Sequence, residues 1–383
     1  MLKNEFVKNS LTLFSGVSLA QAILLAITPI LSRLYGNEVF GIYFLFSSII
    51  VILKILSTLR IELSIMLAKR DKDAINLFCL TFFVNIFMNV IFLLLIIIFN
   101  DFINSLFGEK NLGKFIYLIP LATFFVGLFE MLNIWNNRKK HYTSISASKI
   151  TKAASQGGWN LAFGFANLPS IGLIPAYIFA YLSASVVLIS KSFRELLLLL
   201  KFISIKRMLF LIIKYKDIPR FNTIINLMVN IGNELPVLLM TSFFGPAIVG
   251  LYGMANKLIA APSDLISRSV GQVFFQRASE KYSNDENIHD LLKKTFKNLL
   301  KIALLIFIPA LIIAPFLKYI LGIEWEMTGF FAMIIVPAIF TKFLFVPVSS
   351  IYTILNQQKK MFFYFFVNLV FRIIAIYLGF AVF

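Results

Sequence analysis

The chain has 383 residues, enough for two soluble domains, yet 59% of them are hydrophobic, only 14% are charged, and the mean hydropathy is +0.87. Soluble proteins carry roughly 25% charged residues, so a water-facing fold with a separate catalytic domain is excluded. A formal net charge of +18 nevertheless remains, and the single cysteine, Cys79, rules out a disulfide framework within one chain.

Apolar windows long enough to span a bilayer recur along the whole length. They lie at roughly 11–34, 39–67, 75–100, 114–135, 142–166, 168–190, 221–244, 247–275, 298–320, 327–355 and 361–383. The short basic start, MLKNEFVKNS, precedes an apolar run too long for a signal-peptide core, so it leads into a retained first transmembrane helix. The second window contains Lys54, Arg60 and Glu62, and its second half is expected to be shielded from lipid. Glu130 falls in the fourth.

In the fifth window Lys149 and Lys152 share a helix face with Gln156 one turn on. The same window is rich in Ser, Ala and Gly, which permits close helix packing. The segment 191–220 mixes apolar runs with regularly placed cations and reads as an amphipathic linker on the cytoplasmic face. Beyond it, Glu234 lies in the seventh window, Lys257, Asp264 and Arg268 in the eighth, Lys342 in the tenth and Arg372 in the last.

Loop charges alternate. Segments 1–10, 69–73, 136–141, 191–220, 276–297 and 356–360 carry clusters of Lys and Arg, whereas the connections near 36–38, 101–113, 166–168, 245–247 and 321–326 carry almost none. The positive-inside rule then places the N-terminus in the cytoplasm. The expected fold is all-α: a polytopic membrane protein of about eleven or twelve transmembrane helices. Its expected parts are an N-terminal bundle over 1–190, the linker 191–220 and a C-terminal bundle over 221–383.

An internal repeat supports two halves. Aligning Gly36 with Gly245 also aligns Gly41 with Gly250 and Tyr43 with Tyr252. Each copy is a tight turn between two long spans, so the flanking helices are antiparallel neighbours. Both copies fall on the side with few basic loops, which makes the halves parallel repeats about an axis along the membrane normal. Such halves enclosing a central cavity near the midplane are a transporter design.

Charged groups inside apolar windows are costly in hydrocarbon, so each should face a cavity, a partner or a helix end. Cations dominate: Lys54, Arg60, Lys149, Lys152, Lys257, Arg268, Lys342 and Arg372 stand against Glu62, Glu130, Glu234 and Asp264. That excess points to an anionic cargo, with the cations and Gln156 as candidate substrate-binding residues. Glu62, Glu130, Glu234 and Asp264 are the candidates for coupling to an ion gradient. Bland readings compete: Arg60 can snorkel to a helix end, and Asp264 and Arg268, four apart, are spaced for an internal ion pair. No nucleophile motif, metal cluster or Gly-rich phosphate loop appears, so the chain reads as a non-enzyme with no cofactor and no nucleic-acid partner.

The opening run resembles a known family. Asn9-Ser10, Gly16, Gln21, Pro29, Leu31-Ser32-Arg33-Leu34-Tyr35, Phe40-Gly41-Ile42-Tyr43 and Arg60-Ile61-Glu62 are similar to the start of bacterial O-antigen and polysaccharide flippases. These belong to the multidrug/oligosaccharidyl-lipid/polysaccharide exporter superfamily. The resemblance implies two bundles forming a V-shaped cavity that opens alternately to each side of the bacterial inner membrane. It also implies transfer of undecaprenyl-pyrophosphate-linked oligosaccharide to the periplasmic leaflet, with proton or sodium coupling and other polysaccharide-assembly membrane proteins as candidate partners. The alternatives are an ion-coupled drug or cation antiporter of the same superfamily, or a lipid II flippase, for which about fourteen spans would be expected.

Overall fold

The computed structural model describes residues 2–107, 112–284, 286–355 and 357–382, and these form helices and short connections with no strand. Long runs of Ile, Leu, Phe and Val leave the backbone no partner in lipid but itself, and the helix satisfies it. The N-terminal helices are α1 (Leu2–Leu34), α2 (Asn37–Thr58), α3 (Leu63–Leu67), α4 (Asp71–Ile98), α5 (Asn100–Phe107), α6 (Ile119–Arg138), α7 (Tyr142–Phe165) and α8 (Pro169–Leu200). After α9 (Ile205–Lys214) come α10 (Thr223–Ser283), α11 (His289–Ile313), α12 (Leu317–Leu321), α13 (Glu326–Phe345), α14 (Ile351–Ile354) and α15 (Gln358–Val382).

Eight stretches are long and apolar enough to cross a membrane. One of them contains α10, whose 61 residues would extend about 90 Å if straight, some three times the hydrocarbon thickness. Gly245, with φ 80° and ψ 173°, breaks it into two arms. Only a residue without Cβ adopts that conformation cheaply. Counting the arms separately and adding α7 and α15 gives eleven helices of spanning length among the described residues. Helix α7 is less apolar than the other spans because it carries Lys149, Lys152 and several serines and threonines.

The repeat alignment reappears as contact geometry. A Cβ added at Gly41 would fall 1.7 Å from the Pro246 carbonyl oxygen, and one added at Gly250 would fall 1.8 Å from that of Asn37. The alignment that pairs Gly41 with Gly250 also pairs Asn37 with Pro246. The two contacts are therefore one contact made twice about a pseudo-twofold axis, where α2 crosses the second arm of α10. Around this seam Tyr35 and Trp325 are fully enclosed, and the Phe40 ring meets those of Tyr35 and Trp325 edge-on at 6.2 and 5.4 Å. Ser32 Oγ donates to the Leu321 carbonyl at 2.8 Å, and Trp325 Nε1 donates to the Ser32 carbonyl at 2.9 Å. The two bundles are thus sealed at the end that lacks basic loops.

At the other end the basic loops meet. Asp71 takes ion pairs from Arg138 at 3.1 Å and Lys139 at 2.7 Å, and Asp73 takes one from Arg207 at 2.7 Å. Asn76 ties the linker down: its Nδ2 donates to the Lys72 and Phe202 carbonyls at 2.6 and 2.9 Å, and its Oδ1 accepts from the Ser204 amide at 2.9 Å.

Three expectations change. The window 39–67 is not one helix, because Leu59 (φ 49°) and Arg60 (φ 57°) sit in the left-handed region and separate α2 from α3. The linker 191–220 begins inside α8, which runs on to Leu200, so only α9 is a separate amphipathic helix. The eighth window, expected to end near 275, continues helical to Ser283.

Candidate substrate cavity

Each charged side chain within the apolar windows has an identifiable position. Lys54 Nζ on α2 lies 3.6 Å from Glu130 Oε1 on α6, joining two helices of the first bundle. Arg60 and Glu62 pair at 3.3 Å. Two residues apart on an intact helix they would diverge, but the left-handed break turns them together. Glu62 is enclosed, and its Oε2 and Arg60 Nε have no hydrogen-bond partner among the described residues. The Leu59 carbonyl released by the same break accepts from Thr223 Oγ1 at 2.9 Å, joining α2 to the start of α10.

On α7, Lys152 rests 3.8 Å above the Tyr181 ring of α8, and Gln156 Nε2 donates to the Tyr43 hydroxyl at 2.9 Å. Tyr43, Tyr177 and Tyr181 continue as an aromatic ladder with centroids 6.1 and 4.9 Å apart. Lys257 on the second arm of α10 donates to Thr28 Oγ1 at 3.1 Å, across the seam. Glu234 Oε2 on the first arm accepts from Ser48 Oγ of α2 at 2.6 Å, a second link between the bundles. Asp264 does not pair with Arg268 one turn on; it lies 4.0 Å from Lys342 of α13. Arg372 donates to the Gly232 carbonyl.

Three of the four carboxylates are thus in ion pairs and the fourth holds a serine. Of the cations left over, Lys152 has a ring, Lys257 a hydroxyl and Arg372 a carbonyl. Lys149 and Arg268 remain, and neither has a hydrogen bond or ion pair among the described residues. They come from different bundles, α7 and α10, yet Lys149 feels the charge of Arg268 as well as those of Glu130 and Lys152. Glu234 likewise feels Lys342 and Lys54. Lys54, Lys149, Lys152, Arg268 and Lys342 therefore share one electrostatic neighbourhood with Glu130, Glu234 and Asp264, a local excess of positive charge, while Lys257 lies at the seam.

That neighbourhood is accessible. The Lys342 and Asp264 side chains are 44% and 42% exposed, and those of Lys54 and Glu130 are 26% and 34% exposed, while the seam at Tyr35 is 0% exposed. Lys149 stands about 10 Å along α7 from its start at Tyr142 on the basic-loop side. Two cations without an ion pair, one contributed by each bundle, can replace part of the hydration of a multivalent anion. Among the described residues no group of three or more His, Cys, Asp or Glu is placed to hold a metal ion.

Sequence reasoning missed Ser48, Thr28, Tyr43, Tyr177 and Tyr181. Only the tyrosines carried a signal: Tyr177 and Tyr181 are four apart, on one face of α8.

Comparison with known proteins fits this arrangement. Residues 30–329 match the family described as polysaccharide biosynthesis protein. The chain belongs to that family. The family match covers both repeat turns and every charged site above except Lys342 and Arg372. No curated protein matches the chain by sequence. Among solved structures, the fold matches a multidrug resistance MATE family transporter of the MOP superfamily in an inward-facing conformation. The TM-score is 0.59 and the identity 13%, over 94% of this chain and 83% of that one. It also matches a mutant MATE transporter of Vibrio cholerae, with a TM-score of 0.56 and 13% identity over 96% and 86% of the two chains. At that identity the likeness is one of fold alone.

Proposed function

We propose that this chain is a flippase that carries an undecaprenyl-pyrophosphate-linked oligosaccharide from the cytoplasmic to the periplasmic leaflet of the bacterial inner membrane. The N-terminus and the basic loops face the cytoplasm. The bundles 1–190 and 221–383 rock about the glycine seam, and the linker around 191–220 joins them. Transport is by alternating access and involves no catalytic step.

The observation that carries the reading is the unpaired couple Lys149 and Arg268. A neutral or cationic drug would leave both uncompensated. A pyrophosphate offers each a charge-assisted hydrogen bond, and one anion held from both bundles favours their approach. Binding from both sides biases a two-state element only through its differential affinity for the two arrangements, and a bridging anion has that property by geometry. The tyrosine ladder beside Lys152 supplies faces for sugar rings, and the prenyl chain stays in lipid. Ser48 and Glu234, which join the bundles through an ionisable carboxylate, form the coupling site this reading favours; Glu62, Glu130 and Asp264 are already held, or ion-paired, within one bundle.

The test is leaflet exchange in proteoliposomes loaded with undecaprenyl-pyrophosphate-linked oligosaccharide, with outer-leaflet sugar probed by lectin over time. Protein-dependent exposure supports the flippase. No exposure under a proton or a sodium gradient, with folded protein, rejects it and favours drug or cation efflux.

A further inference from the structure

A cavity lies away from the charged groups between the bundles. It occupies 360 Å³ between the end of α10 and the start of α11. Its floor is apolar, with Val270, Phe274 and Leu299, and its rim is polar, with Arg277, Thr295 and Asn298. Arg277 is nine residues after Arg268, which is two and a half helical turns, so the two guanidinium groups leave α10 on opposite sides. This cavity therefore does not belong to the cleft between the bundles.

Its surroundings are basic. Arg277 is exposed and has no ion pair among the described residues. Lys294 stands four residues before Asn298 on the same face of α11. Of the acidic residues nearby, Glu286 is held by Lys281 at 2.5 Å. Beyond Lys301, α11 becomes continuously apolar through Ile313, the pattern of a helix that enters hydrocarbon beyond its basic end.

We propose that this cavity is a binding site for one anionic membrane phospholipid. Its phosphate accepts from Arg277, Thr295 and Asn298, and an acyl chain lies on Val270, Phe274 and Leu299. Charge selects the headgroup, because a cationic rim discriminates an anionic lipid from a zwitterionic one. The apolar floor selects a lipid over a soluble phosphate, since each buried methylene adds to binding. The proposal is independent of the transported cargo.

The full chain, purified in detergent, is titrated with phosphatidylglycerol, phosphatidylcholine or glycerol phosphate, and bound molecules are counted by native mass spectrometry. Phosphatidylglycerol is expected to be retained about tenfold better than phosphatidylcholine, the scale of a charge-assisted hydrogen bond. Arg277→Glu is expected to erase that preference. Val273→Trp, which fills the cavity without changing charge, is expected to remove the tightest site for either lipid. If Arg277→Glu does not fold, Val273→Trp decides. Equal retention of the two lipids by the wild type, a preference that survives the folded variants, or glycerol phosphate bound as tightly as the lipid would each overturn the assignment.

Discussion

Gly41→Ala places a Cβ 1.7 Å from the Pro246 carbonyl oxygen, and Gly250→Ala places one 1.8 Å from that of Asn37. Carbon–oxygen contacts between packed helices settle at about 3.3 Å or more. Each substitution must therefore part α2 from the second arm of α10 by about 1.5 Å. The opposing atom is backbone in both cases, so no rotamer change relieves the clash. Overpacking of this kind costs about 1–3 kcal/mol. Because one separation relieves both clashes, the double variant should lose less stability than the sum of the singles, a coupling expected of residues sharing one interface.

Spin labels at the exposed positions Glu38 on α2 and Asn256 on the second arm of α10, on a Cys79→Ala background, report the gap by pulsed electron resonance. The mean distance is expected to lengthen by about 1.5 Å in either variant, with little further change in the double. Gly158→Ala, where nothing lies within 4 Å of the new atom, is the control and leaves the distance unchanged. An unaltered distance in Gly41→Ala and Gly250→Ala, or full additivity of their stability losses, would refute a shared pseudo-twofold seam.

Gly245→Ala meets no neighbouring atom but demands φ 80° from an alanine; a loss of about 1–3 kcal/mol is expected by thermal unfolding in detergent. Asn76→Ala leaves the Ser204 amide and the Phe202 carbonyl without their partner. It should cost about 1–3 kcal/mol and speed proteolysis between Lys201 and Ile205, measured against unchanged cleavage elsewhere. Glu234→Gln retains an acceptor for Ser48 but cannot ionise, so transport should persist while its response to an imposed pH gradient disappears. A gradient response equal to that of the wild type would move the coupling role to another carboxylate.

Much of the architecture was legible in the sequence because hydropathy and loop charge act locally. Three matched residues around Gly36 and Gly245 were enough to mark the turns that cross in space. The limits appear wherever a tertiary neighbour decides. No Gly or Pro marks the break at Leu59 and Arg60, so the window 39–67 reads as one helix. Hydropathy reports where the membrane ends, not where the helix ends, so α8 runs beyond 190 to Leu200. Lys149 and Lys152 share a face by spacing, yet only Lys152 finds a ring, because Tyr181 belongs to another helix. Asp264 and Arg268 have the spacing of an intrahelical pair, but Lys342 on α13 takes the carboxylate instead. Charge content was visible in the chain; which charges remain free was set by packing.

The claim that a cationic cleft carries the cargo rests on Lys149 and Arg268. Leaflet exchange of undecaprenyl-pyrophosphate-linked oligosaccharide is therefore to be compared in proteoliposomes holding wild-type protein, Lys149→Glu, Arg268→Glu and the double variant at equal insertion. Two lost charge-assisted contacts of about 1.5 kcal/mol each correspond to roughly a hundredfold in rate. The account predicts a fall of at least about tenfold for each single variant and near-complete loss for the double. Exchange at the wild-type rate in the inserted, folded double variant would contradict it.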